Sequence, residues 1–307
     1  MTADFVRSFQ IEGMNVRGRI VHLTDLADRV IAAHDYPESV SRVVGEALAL
    51  AALLGASVKF EGTLTLQTRS DGPLRLVVAD YTSPGTLRAC ATFERQAVEA
   101  LGAKPQFTEL TGTGSLAITI DPGEDMERYQ GIVPLEGDGI ADGAMSYFER
   151  SEQIPTRIKL SVATLSARGA ESPRPRWRAG AIMIQNLAEL GGRMLAKSAK
   201  DSSEDWARAS TLFATVEPHE LVDPQVEAER LLYRLFHEDG VRAFRKQDLA
   251  FGCRCNAARV QTVLSQYSDS EVQDLAEADG LIHAKCEFCS TVYRFAPDDI
   301  RAQSAQT

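Results

Sequence analysis

Apolar residues recur at helical spacing through Val40, Val43, Val44, Ala47, Leu48, Ala51 and Leu54, with Pro37 suited to the first turn. Apolar side chains also fill much of the remaining circumference, so this helix is expected deep in a core with a sheet wrapped around it. Before it, Arg17 to Leu23 alternates as a strand. Thr24 then stands where a cap would start a short helix, which runs to about His34 and is broken by Asp35-Tyr36-Pro37. After it the alternation is that of antiparallel strands: Phe60 to Arg69 and Leu74 to Tyr81 around the turn Ser70-Asp71-Gly72-Pro73, then Thr86 to Phe93. Ser115 to Ile120 and Arg128 to Leu135 read as a further strand pair, Asp138 to Arg150 as a helix, and Pro155 to Leu165 as a strand. Ser166 to Arg178 reads as an exposed proline-rich loop carrying four arginines, and Arg178 to Gln185 as the last strand of this part.

The texture changes near Asn186. Asn186 to Ser203 is rich in small and polar residues with weak periodicity, and Ser202 or Ser203 is placed to cap a helix bearing Trp206, Ala209, Phe213 and Val216 on one stripe. Gln225 to Phe236 follows as a second amphipathic helix, with Ala228, Leu231, Leu232, Leu235 and Phe236 on one face. Such a pair cannot bury its stripes alone and must lean on the preceding domain, which makes it conditionally stable. From about Gly240 little apolar material remains: Ala243 to Gly252 leads into a cysteine pair, Asn256 to Gln266 and Asp269 to Ala278 read as helices, and Leu281 to Lys285 with Thr291 to Phe295 as a ribbon. The predicted fold is therefore α+β. A mostly antiparallel sheet packs on helices over 1–185, a metastable helical linker covers 186–237, and a small cysteine-bearing domain, read as zinc-binding, covers 238–307.

Composition narrows the class. A chain of 307 residues, 44% hydrophobic and 25% charged, is that of an ordinary water-soluble protein with room for a large core. Met1 to Arg7 has no basic segment leading into an apolar run, and the longest apolar run, Ala47 to Ala56, is about half of what a membrane span needs. A cytosolic protein with reduced thiols and no membrane partner is expected. The net charge of −10 argues against a general polyanion binder, and between Phe251 and Arg301 five basic residues face eight acidic ones. No nucleic-acid partner is expected.

The chemistry gathers in the cysteines. Four of the five stand in two tight pairs, Cys253-Arg254-Cys255 and Cys286-Glu287-Phe288-Cys289, with thirty residues between the pairs. Four convergent thiolates suit one tetrahedral zinc. Close pairs can also oxidise, so a structural staple, a redox switch, a disulfide framework and a nucleic-acid zinc module all remain open on spacing alone. His283 is a rival ligand but reads better as a strand residue, and Cys90, in an apolar strand, reads as a small buried hydrophobe. With so little core around the pairs, metal binding must supply much of the folding energy of this end.

Other patterns lead nowhere catalytic. Gly112-Thr113-Gly114 lacks the third glycine of a dinucleotide loop, and Asp121 to Asp125 lacks calcium-loop register. His219-Glu220 and His237-Glu238 each lack the second histidine of a zinc-protease helix, and no Gly-x-Ser-x-Gly elbow occurs. No enzyme is expected.

At this point the chain resembles the heat-shock protein 33 family of bacterial redox-regulated holdase chaperones. The residues that carry the resemblance are His34-Asp35-Tyr36-Pro37, Phe60-Glu61-Gly62 through Ser70-Asp71-Gly72-Pro73-Leu74, and Glu127-Arg128-Tyr129-Gln130-Gly131 with Leu135-Glu136-Gly137-Asp138. To these are added Ser151-Glu152-Gln153-Ile154-Pro155-Thr156-Arg157 and the C-x-C plus C-x-x-C pair, the most specific of the set. The resemblance implies that Cys253, Cys255, Cys286 and Cys289 bind one zinc when reduced. It implies that oxidants join Cys253 to Cys255 and Cys286 to Cys289, releasing the metal. It implies further that the linker then unfolds, and that the activated protein dimerises and holds unfolding client proteins without ATP, in the bacterial cytoplasm. The apolar stripe Leu231, Leu232, Leu235 and Phe236 is expected to be the linker's gate. Residues 121–127 and the Arg174 to Arg178 loop look peculiar to this chain. Two rivals of other classes are a constitutive zinc ribbon in a nucleic-acid complex and a thiol oxidoreductase using Cys286 and Cys289.

Overall fold

Helix Glu38–Gly55 is nearly all interior: along it Val40, Val44, Leu48, Leu50, Leu53 and their neighbours are buried, as its all-round apolar pattern requires. Around it, the computed structural model describes residues 4–57, 61–123, 127–166, 174–187 and 199–304. The chain divides into two compact units, Met1–Phe251 and Gly252–Thr307.

In the first unit the strands are β1 (Phe5–Ile11), β2 (Val16–Leu23), β3 (Thr63–Ser70), β4 (Leu74–Thr82), β5 (Thr86–Phe93), β6 (Gly114–Asp121), β7 (Tyr129–Pro134), β8 (Thr156–Leu165), β9 (Arg176–Asn186), β10 (Val241–Asp248) and β11 (Ala250–Phe251). Its helices are α1 (Asp25–Ala32), α2 (Glu38–Gly55), α3 (Arg95–Ala100), α4 (Phe107–Thr111), α5 (Ile140–Tyr147), α6 (Ala199–Ala214) and α7 (Ala228–Phe236), with a π-helical turn over Phe148–Glu152 and a 3-10 turn over Pro218–Leu221. One sheet runs β10-β1-β2-β9-β8, the other β11-β5-β4-β3-β6-β7, and every pairing is antiparallel except the short β11–β5 one. Helix α2 packs against β9, β8 and β2 of the first and β4, β5 and β3 of the second, so it forms the axis of the core. The predicted α+β class and antiparallel character hold.

Several expectations change. Strand β1 adds to the predicted elements: Phe5, Phe9 and Ile11 pack into one apolar cluster while Val6 packs into another on the opposite face. Residues 241–251, expected to belong with the cysteines, instead pair with β1 and β5, so the unit boundary falls at 251/252 rather than at 238. Thr24 stands at the start of α1 without capping it through its side chain. The cap comes from Asp4, whose carboxylate accepts from the backbone N–H of Thr24 and, at 3.0 Å, of Leu26. Helix α6 begins at Ala199, which puts Ser202 and Ser203 inside it.

The arginine loop is corrected as well. Arg176 and Arg178 belong to β9, and Arg174 grips buried Asp28 of α1 with two parallel bonds of 2.8 and 2.9 Å. Arg176 adds a bond of 3.2 Å and the Trp177 N–H one of 3.0 Å, so this segment clamps α1 rather than standing free as an exposed loop. Arg168 lies outside the described residues. Burial pushes the Asp28 carboxyl up, but the bonds from Arg174, Trp177 and Arg176 outweigh it and hold the group below the ordinary carboxylate value. Its contribution to stability is therefore full above the ordinary value of 3.8 and is lost as pH falls through the lowered one. Both arginines are half exposed, which screens the pair, so Asp28→Asn should cost only about 1–2 kcal/mol at neutral pH. Urea unfolding of the reduced protein checks this: the gap between variant and parent should close in acid, and equal midpoints at pH 7 would contradict the clamp.

Candidate metal centre

The second unit buries few apolar side chains: Leu264, Val272, Ile282, Phe295 and Ile300 form its cluster, with Val260, Ala284 and Tyr293 against it. Its elements are short: α8 (Ala257–Leu264), α9 (Asp269–Asp274), β12 (Ile282–Lys285), β13 (Val292–Phe295) and α10 (Pro297–Ser304). Asn256 caps α8 by accepting from the Arg259 N–H at 2.8 Å, and Ser268 with Glu271 forms a capping box on α9. Such caps order each piece locally, while the sulfurs join the pieces.

Cys253 and Cys255 lie on the extended stretch before α8, and Cys286 and Cys289 on the turn joining the antiparallel strands β12 and β13. That turn closes through Cys286 N–H to the Thr291 carbonyl at 2.9 Å and Ser290 N–H to the Cys286 carbonyl at 2.8 Å. Ser290 adopts a left-handed φ of 57°, bending the chain so that both thiols face the same way. All four sulfurs lie within 4.8 Å of one another, with Cys253 and Cys286 at 3.7 Å and Cys255 and Cys289 at 3.4 Å. Sulfurs at about 2.3 Å from a tetrahedral zinc stand about 3.8 Å apart, so the donor set fits that ion in kind and spacing. His283 is not part of this group; its Nε2 faces Asp279 at 3.0 Å, in a strand as expected. Cys90 is a buried free thiol in β5.

The surroundings treat the thiols unequally. Burial pushes Cys286 up to about 12, although backbone N–H groups of Phe288 and Cys289 donate to its sulfur. Burial acts on Cys289 too, but its contacts with Thr291, whose Oγ1 is 3.2 Å away, bring it down to about 7. Tyr293 donates to Cys255 at 3.2 Å. The contacts at 3.7 and 3.4 Å both run between the two pairs, and thiols within each pair are in hydrogen-bond contact as well, so every pairing is within reach. The C-x-x-C turn joins two strands, which is not the strand-to-helix setting of a thioredoxin-like thiol.

The second expected site is the linker stripe, and it is buried. Leu231, Leu232, Leu235 and Phe236 pack with Ala209, Phe213, Val216 and Leu221 onto Phe5, Phe9, Ile11, Val16, Ile20, Ile182 and Ile184, the face of the first sheet turned away from α2. Phe236 stacks on Phe9 with ring centres 6.0 Å apart. Polar ties surround this contact. Lys159 of β8 donates to the Ala214 and Val216 carbonyls at 2.6 and 2.5 Å, closing the C-terminal end of α6. Glu229 pairs with Arg7 and, at 3.2 Å, with Lys246, while Arg208 reaches Glu238 at 2.9 Å and Asp239 at 3.0 Å. Sequence reasoning missed Gly180, where any added Cβ would strike the Leu221 carbonyl: the linker backbone sits against a bare strand. Nothing in the local pattern marks that glycine, since its partner lies some forty positions on.

The family model described as Hsp33 protein matches residues 4–296. The 33 kDa chaperonins of two Caulobacter vibrioides strains are each 43% identical over 298 residues, covering 96% of this chain and 95% of theirs. That of Pectobacterium carotovorum is 35% identical over 303 residues, covering 98% and 96%. The solved 33 kDa chaperonin of Thermotoga maritima shares the fold, with a TM-score of 0.78 at 22% identity and 98% of both chains covered. Replacing one donor should empty the centre: a reduced Cys289→Ser variant is expected to lose most of its zinc after dialysis, and Cys90→Ser none, by metal analysis. Full, tight zinc in Cys289→Ser would overturn the assignment.

Proposed function

The chain belongs to the Hsp33 family of chaperones, and from that premise we propose that it is a redox-gated holdase that works without ATP. The observation that carries the reading is the convergence of Cys253, Cys255, Cys286 and Cys289 in a unit with almost no other core. In this reading the reduced thiolates hold one zinc, and coordination supplies the folding energy of the unit, roughly 10–16 kcal/mol for structural zinc. Oxidation competes for the same sulfurs. Each disulfide forms as two thiols lose two protons and two electrons to a peroxide, which leaves as two waters; the first couples Cys253 to Cys255, the second Cys286 to Cys289. This neighbour pairing follows the family resemblance and the short chain between partners. The metal then has no donors, the unit loses its fold, and the linker over 186–237 is released.

Release of the linker bares the apolar sheet face of Phe5, Phe9, Ile11, Ile20 and Ile182, which supports capture of unfolded clients and dimerisation. The ribbon's acidic balance supports a function without nucleic acid, and no described helix is long and apolar enough to cross a membrane. The cytoplasm is the expected compartment, because there the thiols start reduced.

Aggregation of a heat-denatured client, followed with zinc release, tests the proposal: the reduced protein should be silent and the peroxide-treated one protective, with no nucleotide present. Peptide mass spectrometry should then find Cys253 with Cys255 and Cys286 with Cys289, and a major Cys253–Cys286 product would contradict the pairing. The gate is tested separately. Leu232 and Phe236 are at most 1% exposed, and truncating such a side chain costs about 2–5 kcal/mol, more than a marginally docked segment can lose. Leu232→Ala and Phe236→Ala should therefore show partial activity while reduced and zinc-bound, with faster proteolysis between 186 and 237. Gly180→Ala should do the same without altering any linker residue, because the added Cβ strikes the Leu221 carbonyl. Unchanged proteolysis in all three would mean that docking is not the gate.

A further inference from the structure

The first turns of β2 carry a cost that nothing nearby offsets. Arg19 is 7% exposed and Arg17 partly buried, yet the Nε–H of each is buried without a hydrogen-bond partner among the described residues. Just before them Asn15, 6% exposed, leaves its Oδ1 buried and likewise without a partner among those residues. The two arginines project from the same face of the strand, the one that carries Val21 and Leu23 into the core beside α2. Their cross-strand neighbours are all uncharged: Gln10 and Gln185 beside Arg17, Ser8 and Met183 beside Arg19. Gln185 turns its amide to Thr156 at 3.3 Å.

Among the described residues neither arginine forms an ion pair, and none supplies a carboxylate that offsets their burial. Burial lowers Arg17, and burial followed by the charge of Arg17 brings Arg19 down to about 10. A guanidinium is protonated at neutral pH, so two like charges lie near one another largely out of water, an arrangement that is unfavourable unless an anion joins them.

We propose that Arg17 and Arg19, with Asn15 beside them, form a binding site for a small oxyanion of the phosphate class. The unpartnered Nε–H of both guanidinium groups is the informative detail. Nε–H together with one Nη–H is the fork that takes two oxygens of one oxyanion, and here the Nε–H of two such forks lacks a partner among the described residues. A phosphate dianion neutralises both cations at once, whereas a single carboxylate neutralises one. Arg17, the more accessible of the two, marks the side from which the anion enters. A 180° turn of the Asn15 amide presents its N–H group to a third oxygen; its carbonyl as placed accepts from a protonated phosphate.

The test is calorimetric titration of the reduced, zinc-loaded full chain with inorganic phosphate and with pyrophosphate, at ionic strength held constant with chloride. Saturable 1:1 binding and a phosphate-dependent rise in the thermal midpoint are expected. Tighter pyrophosphate would identify a phosphorylated metabolite as the source, and binding of inorganic phosphate alone the free ion; both uphold the site. Arg17→Lys keeps the charge but loses the fork and should weaken binding at least tenfold. Arg19→Gln should abolish binding, yet in chloride its midpoint should match or exceed the parent's, because a repelling buried charge is gone. No saturable binding of either anion up to 20-fold the expected millimolar range, or parental affinity in both variants, would overturn the proposal and leave ordered water as the partner of the two Nε–H groups.

Discussion

The Gly252–Thr307 unit depends on the meeting of four sulfurs. Five buried hydrophobic side chains and a few helix caps cannot offset the entropy of ordering some fifty residues, at about 1–2 kcal/mol each for the backbone alone. In the proposed reading such a unit is ordered while its sulfurs share a metal and has little to fall back on when they do not. Chemistry on two bonds would then decide the state of a whole segment of chain, which no comparable change could do in the thick core around α2.

The linker stands at a different point on the same scale. Its helices hide a stripe of leucines and phenylalanines against a sheet face that is itself apolar, and the contact is edged by exposed or half-exposed ion pairs that each contribute little. The arrangement is symmetrical in its consequences. Docking buries both surfaces, and release bares both, so a segment that guards the sheet also guards its own stripe. Lys159, at the end of α6, and Gly180, under Leu221, fix where the segment sits without adding much to how strongly it is held.

Much of this was legible in the chain. The spacing of the cysteines located the sulfur cluster because short loops leave a pair of thiols few places to go. The near-continuous apolar run of α2 and the turn between β3 and β4 announced themselves through local chemistry. What stayed hidden depends on partners far away in sequence. Strand β10 is mostly exposed and polar, so its pattern does not identify it; it is a strand because β1, more than two hundred residues earlier, offers an edge. Arg174 and Arg176 look like a surface patch until Asp28 is found buried beneath them, and Thr24 looks like a cap until Asp4 takes that role. Arg17 and Arg19 present the reverse case: charged residues in a strand imply an acid opposite, and the fold supplies none.

The central claim is that loss of order around the sulfurs is passed to the linker and stops at the core. Hydrogen–deuterium exchange, compared in reduced zinc-bound and peroxide-oxidised protein, tests this segment by segment. The account predicts that protection falls together in 252–304 and in α6 and α7, while β2, β9 and α2 keep theirs. Oxidised protein that loses protection only in 252–304, with α6 and α7 as slow to exchange as before, would contradict it.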